Sequence, residues 1–310
     1  MTEAEAAARL WRARPVRPLS QRENEVHEIA LPDGSPAALR LHRQGYQSGD
    51  SIRSELWWCA ELAARGLPVP RPVPLPDGAL LAELPSGRCV SVVGWVAGEP
   101  LGAAGVPLAG TAAEQAARHH ALGQVLARVH DASDRMTLPG WFTRHRWDAE
   151  GLAGETPTWG RFWDHAQLTQ DEAATLRAAR DWLHARLSAH QDQGADMGLI
   201  HSDALRENIL LDDGAMTLID FDDAGIGFRL YDLGSVLSQN LYEPAYRDIR
   251  AALIAGYASE RPLRADLVDT FTLARTLSSV GWTMPRVDPA HPIVRRHIDR
   301  AILCARLVIG

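Results

Sequence analysis

The chain has 310 residues, 46% hydrophobic and 23% charged, which suits one large globular domain or two modest ones. Its net charge of −7 argues against a nucleic-acid partner. No apolar run approaches the roughly 18 residues that cross a bilayer, and no signal-peptide segment is apparent. The three cysteines are far apart, so we expect reduced thiols in a cytoplasmic protein without a disulfide or zinc framework.

All 32 basic residues are arginines, and the chain has no lysine. Any cation that grips a phosphate must therefore be a guanidinium, which stays charged and presents a planar fork of donors. A nucleotide site in this chain would have to work without the ammonium group that many phosphate sites use.

The first third of the chain predicts a β-rich part. Residues 3–13 are rich in good helix formers and predict a short N-terminal helix. A Pro-Asp-Gly turn joins the first two extended runs and predicts a hairpin. The predicted strands are residues 25–31, 36–43, 80–84 and 88–96.

One longer helix interrupts these strands. It is predicted to begin at Gly49, with Asp50 or Ser51 as its N-cap, and to end before Gly66. Its apolar residues recur at helical spacing, and Glu55 lies beside this stripe. We therefore expect the Glu55 carboxylate to point inward where the helix packs.

After Gly98 the pattern becomes mostly helical. Residues 112–130 predict one helix, and Thr169 with Glu172 forms a capping box that begins another. We predict an α+β, bilobal fold. Residues 1–97 form a small antiparallel β-rich lobe with the N-terminal helix and one key helix, and residues 98–310 form a larger, mostly helical lobe.

The most informative stretch is residues 199–227, which contain H-x-D-x-x-x-x-N as His201, Asp203 and Asn208. Two apolar runs follow on either side of an Asp-Asp-Gly turn and predict a hairpin that ends on Asp220. Each of these residues alone is usually a turn or packing residue. Their joint spacing favours a functional site.

The chemistry of phosphoryl transfer explains this spacing, because that reaction needs positioning and charge neutralisation more than covalent work. Asp203 can accept or orient the proton of an attacking hydroxyl. Asn208 and Asp220 offer the oxygen ligands that Mg²⁺ prefers between phosphate groups.

The stretch resembles the protein-kinase set H-R-D-x-x-x-x-N plus D-F-G. It is more similar to the aminoglycoside phosphotransferase and choline kinase superfamily, with its H-G-D-x-x-x-x-N and I-D-[F/W]-[D/E] patterns. Within it, the bacterial branch of homoserine kinase-like enzymes and the stress-response kinase is nearest. The resemblance runs on through Arg229 to Gly234 and covers most of the chain. It departs at Ser202, usually glycine, and at Ala204, usually leucine, and neither position carries a charged role.

This resemblance implies a protein-kinase-like fold that binds ATP and Mg²⁺. It assigns Asp203 as the catalytic residue and Asp232 as a support for the backbone of the catalytic loop. The implied metal ligands are Asn208, Asp220 and Asp222.

The nucleotide is expected in the small lobe. Arg40 stands where the kinases have a strand lysine, and Glu55 follows on the helix as its partner. No G-x-G-x-x-G is present, and polar Ser20 and Asn24 of residues 20–26 are the candidates that replace its phosphate contacts. The remaining cofactor-binding candidates are Gly94, Trp95 and Val96 at the adenine edge and Arg206 at the γ-phosphate.

Asp232 follows Asp220 by only twelve positions, which leaves no room for the activation segment and A-P-E of protein kinases. A small-molecule acceptor is therefore favoured. A Ser/Thr protein kinase of the stress-response type stays open, as does a nucleotide-binding pseudokinase, since the lysine and the Gly-rich loop are missing.

The composition of residues 241–310 bears on the acceptor, because this tail holds ten arginines and seven acidic residues. That excess favours an acceptor with a carboxylate, such as homoserine or another hydroxy-amino acid. The candidates to hold it are Arg275, Trp282 and Arg286. The sequence leaves open the identity of the acceptor, the choice between ATP and GTP, and the oligomeric state.

Overall fold

The computed structural model describes residues 2–21 and 24–310. The helices are α1 (Glu3–Leu10), α2 (Gly49–Ala64), α3 (Ala112–Asp134), α4 (Ala149–Ala153), α5 (Gln170–Asp192), α6 (Leu230–Ser238), α7 (Tyr246–Ala258), α8 (Val268–Thr283) and α9 (Pro292–Ile309). The strands are β1 (Arg14–Gln21), β2 (Glu25–Ala30), β3 (Pro36–Leu41), β4 (Leu81–Glu83), β5 (Cys89–Gly94), β6 (Glu99–Pro100), β7 (His145–Trp147), β8 (Met197–Ile200), β9 (Ile209–Asp212), β10 (Ala215–Leu218) and β11 (Gly225–Phe228). Among these described residues, no helix combines the length and apolar character that a bilayer-spanning segment needs.

The chain divides into two compact units. The N-terminal unit comprises residues 1–99, 136–144 and 210–222, and the C-terminal unit comprises residues 100–135, 145–209 and 223–310. The sequence predicted one division, after residue 97. Two later segments group with the N-terminal unit because they bond to it. Leu218 N donates to Pro68 O at 3.0 Å, and Thr143 N donates to Ser54 Oγ at 2.9 Å.

A five-stranded antiparallel sheet forms the centre of the N-terminal unit, with strand order β1-β2-β3-β5-β4. The predicted hairpin is formed by β2 and β3, which pair from Glu25 opposite Leu41 to Ala30 opposite Pro36. Because successive side chains of a strand alternate between faces, β3 buries Leu39 and Leu41 completely and presents Arg40 on the other face.

The helix α2 carries Glu55 into the N-terminal unit, where the residue is 3% exposed. Ser48 is its N-cap and accepts the N–H of Ser51 at 3.1 Å. The predicted N-caps, Asp50 and Ser51, were therefore wrong, since both lie in the first turn of the helix. The predicted stop is confirmed, because α2 ends at Ala64 and Gly66 has a φ of +76°.

The C-terminal unit is mostly helical. Its helices α3 and α7 approach closely at Gly123 and Gly256, where an added Cβ would lie within 2.3 Å of a backbone atom of the other helix. The predicted capping box at Thr169 is confirmed at the start of α5. A small sheet with strand order β7-β11-β8 also belongs to this unit, and none of its three strands was predicted.

Candidate active site

Asp203 lies in the C-terminal unit, on the segment that follows strand β8. Asn208 Nδ2 donates to the Asp203 carboxylate oxygen Oδ2 at 2.9 Å and to the Asp203 main-chain oxygen at 2.9 Å. Arg275 Nη2 donates to the other carboxylate oxygen, Oδ1, at 2.5 Å. Both oxygens of this carboxylate are therefore held in place, one by a residue of the predicted motif and one by helix α8.

Asp232 anchors the backbone of this catalytic loop, as the resemblance implied. It is completely buried and accepts the N–H groups of His201 at 2.9 Å and Ser202 at 2.6 Å. His130 Nε2 lies 2.9 Å from the same carboxylate, and its Nδ1 lies 2.8 Å from the Tyr257 hydroxyl. Burial by itself raises the pKa of Asp232, but the hydrogen bond from His130 and nearby charges lower that pKa below its usual value. The carboxylate thus stays ionised and keeps the loop fixed.

Ser202 has a left-handed backbone, with a φ of +65°, at the position where the family pattern has glycine. This conformation costs a residue other than glycine about 1–2 kcal/mol. Two hydrogen bonds offset the cost. The Ser202 hydroxyl donates to Asp223 O at 2.6 Å, and the Ser202 carbonyl accepts from Ser235 Oγ at 2.7 Å.

Arg206 was expected to contact a γ-phosphate, but its side chain contacts other protein groups. Its side chain is 4% exposed and donates to Asn240 Oδ1 at 2.7 Å, to Glu243 Oε1 at 2.5 Å and to Val106 O at 2.8 Å. Because these acceptors use its donors within the C-terminal unit, Arg206 braces the catalytic loop. This geometry does not support the phosphate contact.

Of the three acceptor candidates in the C-terminal unit, Arg275 contacts Asp203, whereas Arg286 and Trp282 contact each other. Arg275 reaches Asp203, and its guanidinium carbon lies 4.8 Å from the ring centroid of Trp159. Arg286 lies 5.5 Å from the ring centroid of Trp282 and donates to the Trp282 carbonyl at 3.2 Å. The Trp282 ring in turn faces His297 of α9, with centroids 6.3 Å apart.

Arg40 and Glu55 form the expected pair in the N-terminal unit. Arg40 Nη1 donates to Glu55 Oε1 at 2.7 Å, and Nη2 lies 3.4 Å from Asp220 Oδ1. The Arg40 side chain is 14% exposed. Burial alone lowers the pKa of Arg40, but the carboxylates of Glu55, Asp220 and Asp222 outweigh burial and raise it. The guanidinium is therefore a permanent, oriented cation.

Two candidate metal ligands, Asp220 and Asp222, follow strand β10 in the same unit. The Asp220 side chain is 47% exposed, and its φ of +64° is left-handed. Asp222 is buried; its Oδ2 accepts from Asn24 Nδ2 at 3.3 Å, and its Oδ1 has no hydrogen-bond partner among the described residues. Burial raises the pKa of Asp222, and the charge of Asp220 adds to this while Arg40 opposes it.

These oxygens fit a hard divalent cation. A buried carboxylate oxygen without a donor is costly unless a cation or a donor reaches it. In the C-terminal unit, the Asn208 amide nitrogen is used by Asp203, which leaves the Asn208 amide oxygen as the metal donor of that side chain. Over residues 2–21 and 24–310, no three His, Cys, Asp or Glu side chains form a metal site by themselves.

The loop that replaces the Gly-rich motif is only partly described, since Arg22 and Glu23 lie outside the described residues. Ser20 lies on β1 opposite Val26. Asn24 Oδ1 accepts the N–H of Arg43 at 2.9 Å, while its amide nitrogen reaches Asp222. Asn24 thus positions Asp222, and its contact with a phosphate stays a prediction.

The predicted adenine edge follows strand β5. Gly94 N donates to Arg71 O at 2.8 Å, and Trp95 next to it is 38% exposed. Val96 is half-buried. No contact in the structure tests these three candidates, which stay predictions.

Several supporting residues were missed from the sequence. Arg144 donates to Ser51 O at 3.1 Å and also to the Asp222 carbonyl, 78 residues away. His130 supports Asp232 from 102 residues away. No local pattern marks such pairs. The only signal for His130 was a histidine within the apolar pattern of a predicted helix.

Comparisons with known proteins place the chain among phosphotransferases. A family model described as "Phosphotransferase enzyme family" matches residues 15–267. A homoserine kinase of Sinorhizobium fredii is 31% identical over 231 residues, which are 73% of this chain and 64% of that enzyme. The chain therefore spans slightly less than two thirds of that relative's length.

Solved structures give the same result for the fold. A microcompartment-associated aminopropanol kinase has a TM-score of 0.82 at 30% identity, covering 99% of this chain and 96% of that one. The amicoumacin kinase hAmiN in complex with AMP-PNP, Ca²⁺ and Ami has a TM-score of 0.78 at 20% identity, covering 97% and 92%. The α+β, protein-kinase-like fold predicted from the sequence is confirmed.

Proposed function

The chain belongs to the phosphotransferase enzyme family, and we propose that it transfers the γ-phosphate of ATP, with Mg²⁺, to a hydroxyl of a small molecule. The acceptor we propose is a hydroxy-amino acid such as homoserine. The observation that carries this proposal is the geometry of the Asp203 carboxylate. Asn208 and Arg275 each donate a hydrogen bond to one of its two oxygens, and Asp232 accepts the backbone N–H of Ser202 in the same loop.

Asp203 is the proposed base. As the acceptor's hydroxyl oxygen bonds to the γ-phosphorus and ADP leaves, the hydroxyl proton passes to the Asp203 carboxylate. Asn208 and Arg275 orient that carboxylate before the acceptor arrives, so little reorganisation is needed during the reaction.

Arg40 is proposed to hold the nucleotide phosphates in place of the usual lysine, with Glu55 fixing its direction. Asn208, Asp220 and Asp222 are the proposed ligands of Mg²⁺, which when bound neutralises charge on the phosphate oxygens. The amicoumacin kinase, which has the same fold, was solved with an ATP analogue and a divalent cation, and this supports the cofactor assignment.

Two observations support a small acceptor. Between Asp220 and Asp232 the chain forms the short strand β11 and then enters α6, without an inserted docking segment. Two similar enzymes are named for homoserine and for aminopropanol, which are small hydroxylated amines. Arg275 beside Asp203 supports the carboxylate-bearing member of this pair.

The test is an acceptor panel with coupled detection of ADP, covering homoserine, hydroxylysine, choline, aminoglycosides and sugars. We expect ADP formation that depends on Mg²⁺, is strongest with hydroxy-amino acids and is lost in Asp203→Asn. ADP formation that survives Asp203→Asn would contradict the assigned base. Phosphate transfer to added protein but to no small molecule would contradict the acceptor class.

A further inference from the structure

Helices α8 and α9 pack against each other in the C-terminal unit, and the charges of Arg275 on α8 and Arg300 on α9 act on each other. The side chain of Arg275 is 5% exposed. One of its terminal nitrogens donates to Asp203 and the other donates to Ser279 Oγ at 2.6 Å, while its Nε has no hydrogen-bond partner among the described residues. The negative charge of Asp203 is therefore already paired with the positive charge of Arg275.

Arg300 of α9 lacks a counter-charge. The structure gives its guanidinium no hydrogen bond or ion pair with any described residue, and its Nε is buried. Burial and the charge of Arg275 lower the pKa of Arg300, with Arg206 and Arg296 adding to the effect. The buried guanidinium of Arg275 and the half-buried guanidinium of Arg300 thus have one ion pair among the described residues, the pair of Arg275 with Asp203.

The other charged groups around Arg300 do not correct this imbalance. Arg206 is neutralised by Glu243, and Asp299 is engaged by Arg295. His297 adds no negative charge either, and its Nδ1 is buried without a partner among the described residues. Burial and the neighbouring Arg300, Arg275 and Arg296 lower the pKa of His297 to about 3, so the ring stays neutral. Next to Arg300, Tyr242 offers a hydroxyl but no carboxylate.

A half-buried cation without a partner is destabilising, and an anionic ligand that pairs with it removes that cost. Guanidinium groups bind carboxylates through two parallel hydrogen bonds, and binding of this kind fixes the direction of the ligand as well as its place. Because the charge of Arg275 acts on Arg300, an anion bound to Arg300 would also be attracted by Arg275, which already holds Asp203.

We propose that Arg275 and Arg300, with the neutral ring of His297, form a subsite for the carboxylate of the acceptor. Arg300 is the specificity-determining residue of this subsite, since its guanidinium has no hydrogen bond or ion pair among the described residues, whereas Arg275 already pairs with Asp203. Arg275 joins the bound carboxylate to Asp203 and so positions the acceptor relative to the base. This assignment rests on the proposed function, which supplies the acceptor class. Within that class, the subsite would make the protein prefer a hydroxy-amino acid over the corresponding amino alcohol, which lacks the carboxylate.

The first experiment measures binding without turnover, by calorimetric titration of the full-length protein. The probes are L-2-aminobutyrate, which is homoserine without its hydroxyl, and n-propylamine, which also lacks the carboxylate. We expect the wild type to bind aminobutyrate at least about tenfold more tightly than propylamine, since a hydrogen bond to a charged group contributes this much. Equal binding of the two probes by the wild type would overturn the proposal without any variant.

Variants then locate the subsite. Arg300→Gln should weaken aminobutyrate binding by about 10- to 100-fold, and Arg300→Lys, which keeps the charge but not the fork, by less. The matched control is Arg306→Gln, which removes an exposed arginine from the same helix and should change binding by less than about twofold. Equal effects of Arg300→Gln and Arg306→Gln would overturn the assignment. Inorganic phosphate serves as a third probe, and tight phosphate binding without aminobutyrate binding would assign the anion to a phosphate instead.

The second experiment compares L-homoserine with 3-amino-1-propanol, the same molecule without its carboxylate, as acceptors. In Arg300→Gln we expect KM for homoserine to rise about 10- to 100-fold, while kcat/KM for the amino alcohol changes by less than about threefold. If the wild type binds aminobutyrate but phosphorylates nothing, the proposed function fails and the subsite stands. If it phosphorylates both acceptors equally well, the subsite fails and the proposed function stands.

Discussion

In the N-terminal unit, Arg40 faces three carboxylates, those of Glu55, Asp220 and Asp222. In the C-terminal unit the proportion is reversed: the charge of Arg275 acts on Arg300, and among the described residues only Arg275 of this pair has a carboxylate partner, Asp203. Burying charges of one sign in excess is costly, so such an imbalance usually marks a place that a ligand of the other sign completes. The acid-rich group suits a divalent cation, and the base-rich group suits an anion.

The largest effect should come from Asp203, the carboxylate that pairs with Arg275 in the C-terminal unit. Asp203→Asn should lower kcat by about 10² to 10⁴, because a positioned general base contributes that much. Steady-state kinetics with the best acceptor of the panel would measure it. Asp266→Asn, which removes an exposed carboxylate paired with Arg264 in the same unit, is the control and should leave kcat unchanged. Equal activity of the two variants would remove Asp203 from the mechanism.

The Arg40 pair should contribute more to stability than any surface pair of the N-terminal unit. Arg40→Gln leaves Glu55 buried without its counter-charge, which should lower the free energy of unfolding by about 3–5 kcal/mol. Arg17→Gln is the matched control, since Arg17 pairs with Glu28 at 2.7 Å but is 63% exposed. That variant should cost less than about 1 kcal/mol. Urea unfolding of both variants would test this, and equal costs would mean that burial does not distinguish the two pairs.

Buried neutral histidines should make the stability fall in acid. Burial lowers the pKa of His119 and of His130 in the C-terminal unit, and of His42 in the N-terminal unit. Below pH ~6.5 the unfolded chain binds protons at these rings while the folded chain does not, so their contribution is present above pH ~6.5 and is lost as the pH falls. Each ring adds about 1.4 kcal/mol per pH unit to the slope in this range.

His119→Leu would test the contribution of one histidine to this pH dependence, because His119 is completely buried. The variant should reduce the dependence of the unfolding free energy on pH below pH ~6.5, by at most about one proton. Urea unfolding at several pH values measures it. A slope identical to that of the wild type would show that His119 binds its proton in the folded state as well.

The smallest effect concerns Ser202. Ser202→Gly relieves the strain of the left-handed backbone, but it loses the hydrogen bond from the hydroxyl to Asp223 O and gives the unfolded chain more conformational freedom. Because these effects oppose each other, the free energy of unfolding should change by no more than about 1 kcal/mol. Trp147 Nε1 still donates to Asp223 O at 2.9 Å, so no buried carbonyl is left without a donor. Ser202→Ala keeps the strain and loses the bond, and should cost about 1 kcal/mol. A loss above about 2 kcal/mol for Ser202→Gly would give the hydroxyl a larger part in holding the loop.

Features with a local cause could be predicted from the sequence. The β2–β3 hairpin follows from its Pro-Asp-Gly turn, the start of α5 from the capping box at Thr169, and the catalytic loop from the spacing of Asp203 and Asn208. In each case the residues that determine the element are within a few positions of one another.

Features that depend on distant contacts were missed. The prolines of residues 14–21 argue for a loop, yet β1 is an edge strand whose register shifts next to Pro15 and Pro18 accommodate them. The N-cap of α2 was placed too late because Ser48, Asp50 and Ser51 are all residues that can cap a helix, and the pattern alone does not choose among them. Arg275 could be singled out as a candidate, but its partner Asp203 is 72 residues away, and Arg300 carries no local signal at all.

The guanidinium of Arg40 also determines which chemical labels can reach this protein. Nucleotide analogues that acylate an active-site amine find no amine on any side chain of this chain. We expect such reagents to leave nucleotide binding intact, while a dicarbonyl reagent that modifies arginine should block it and be slowed by added ATP. Surveys of kinases that rely on lysine acylation would pass over an enzyme of this composition.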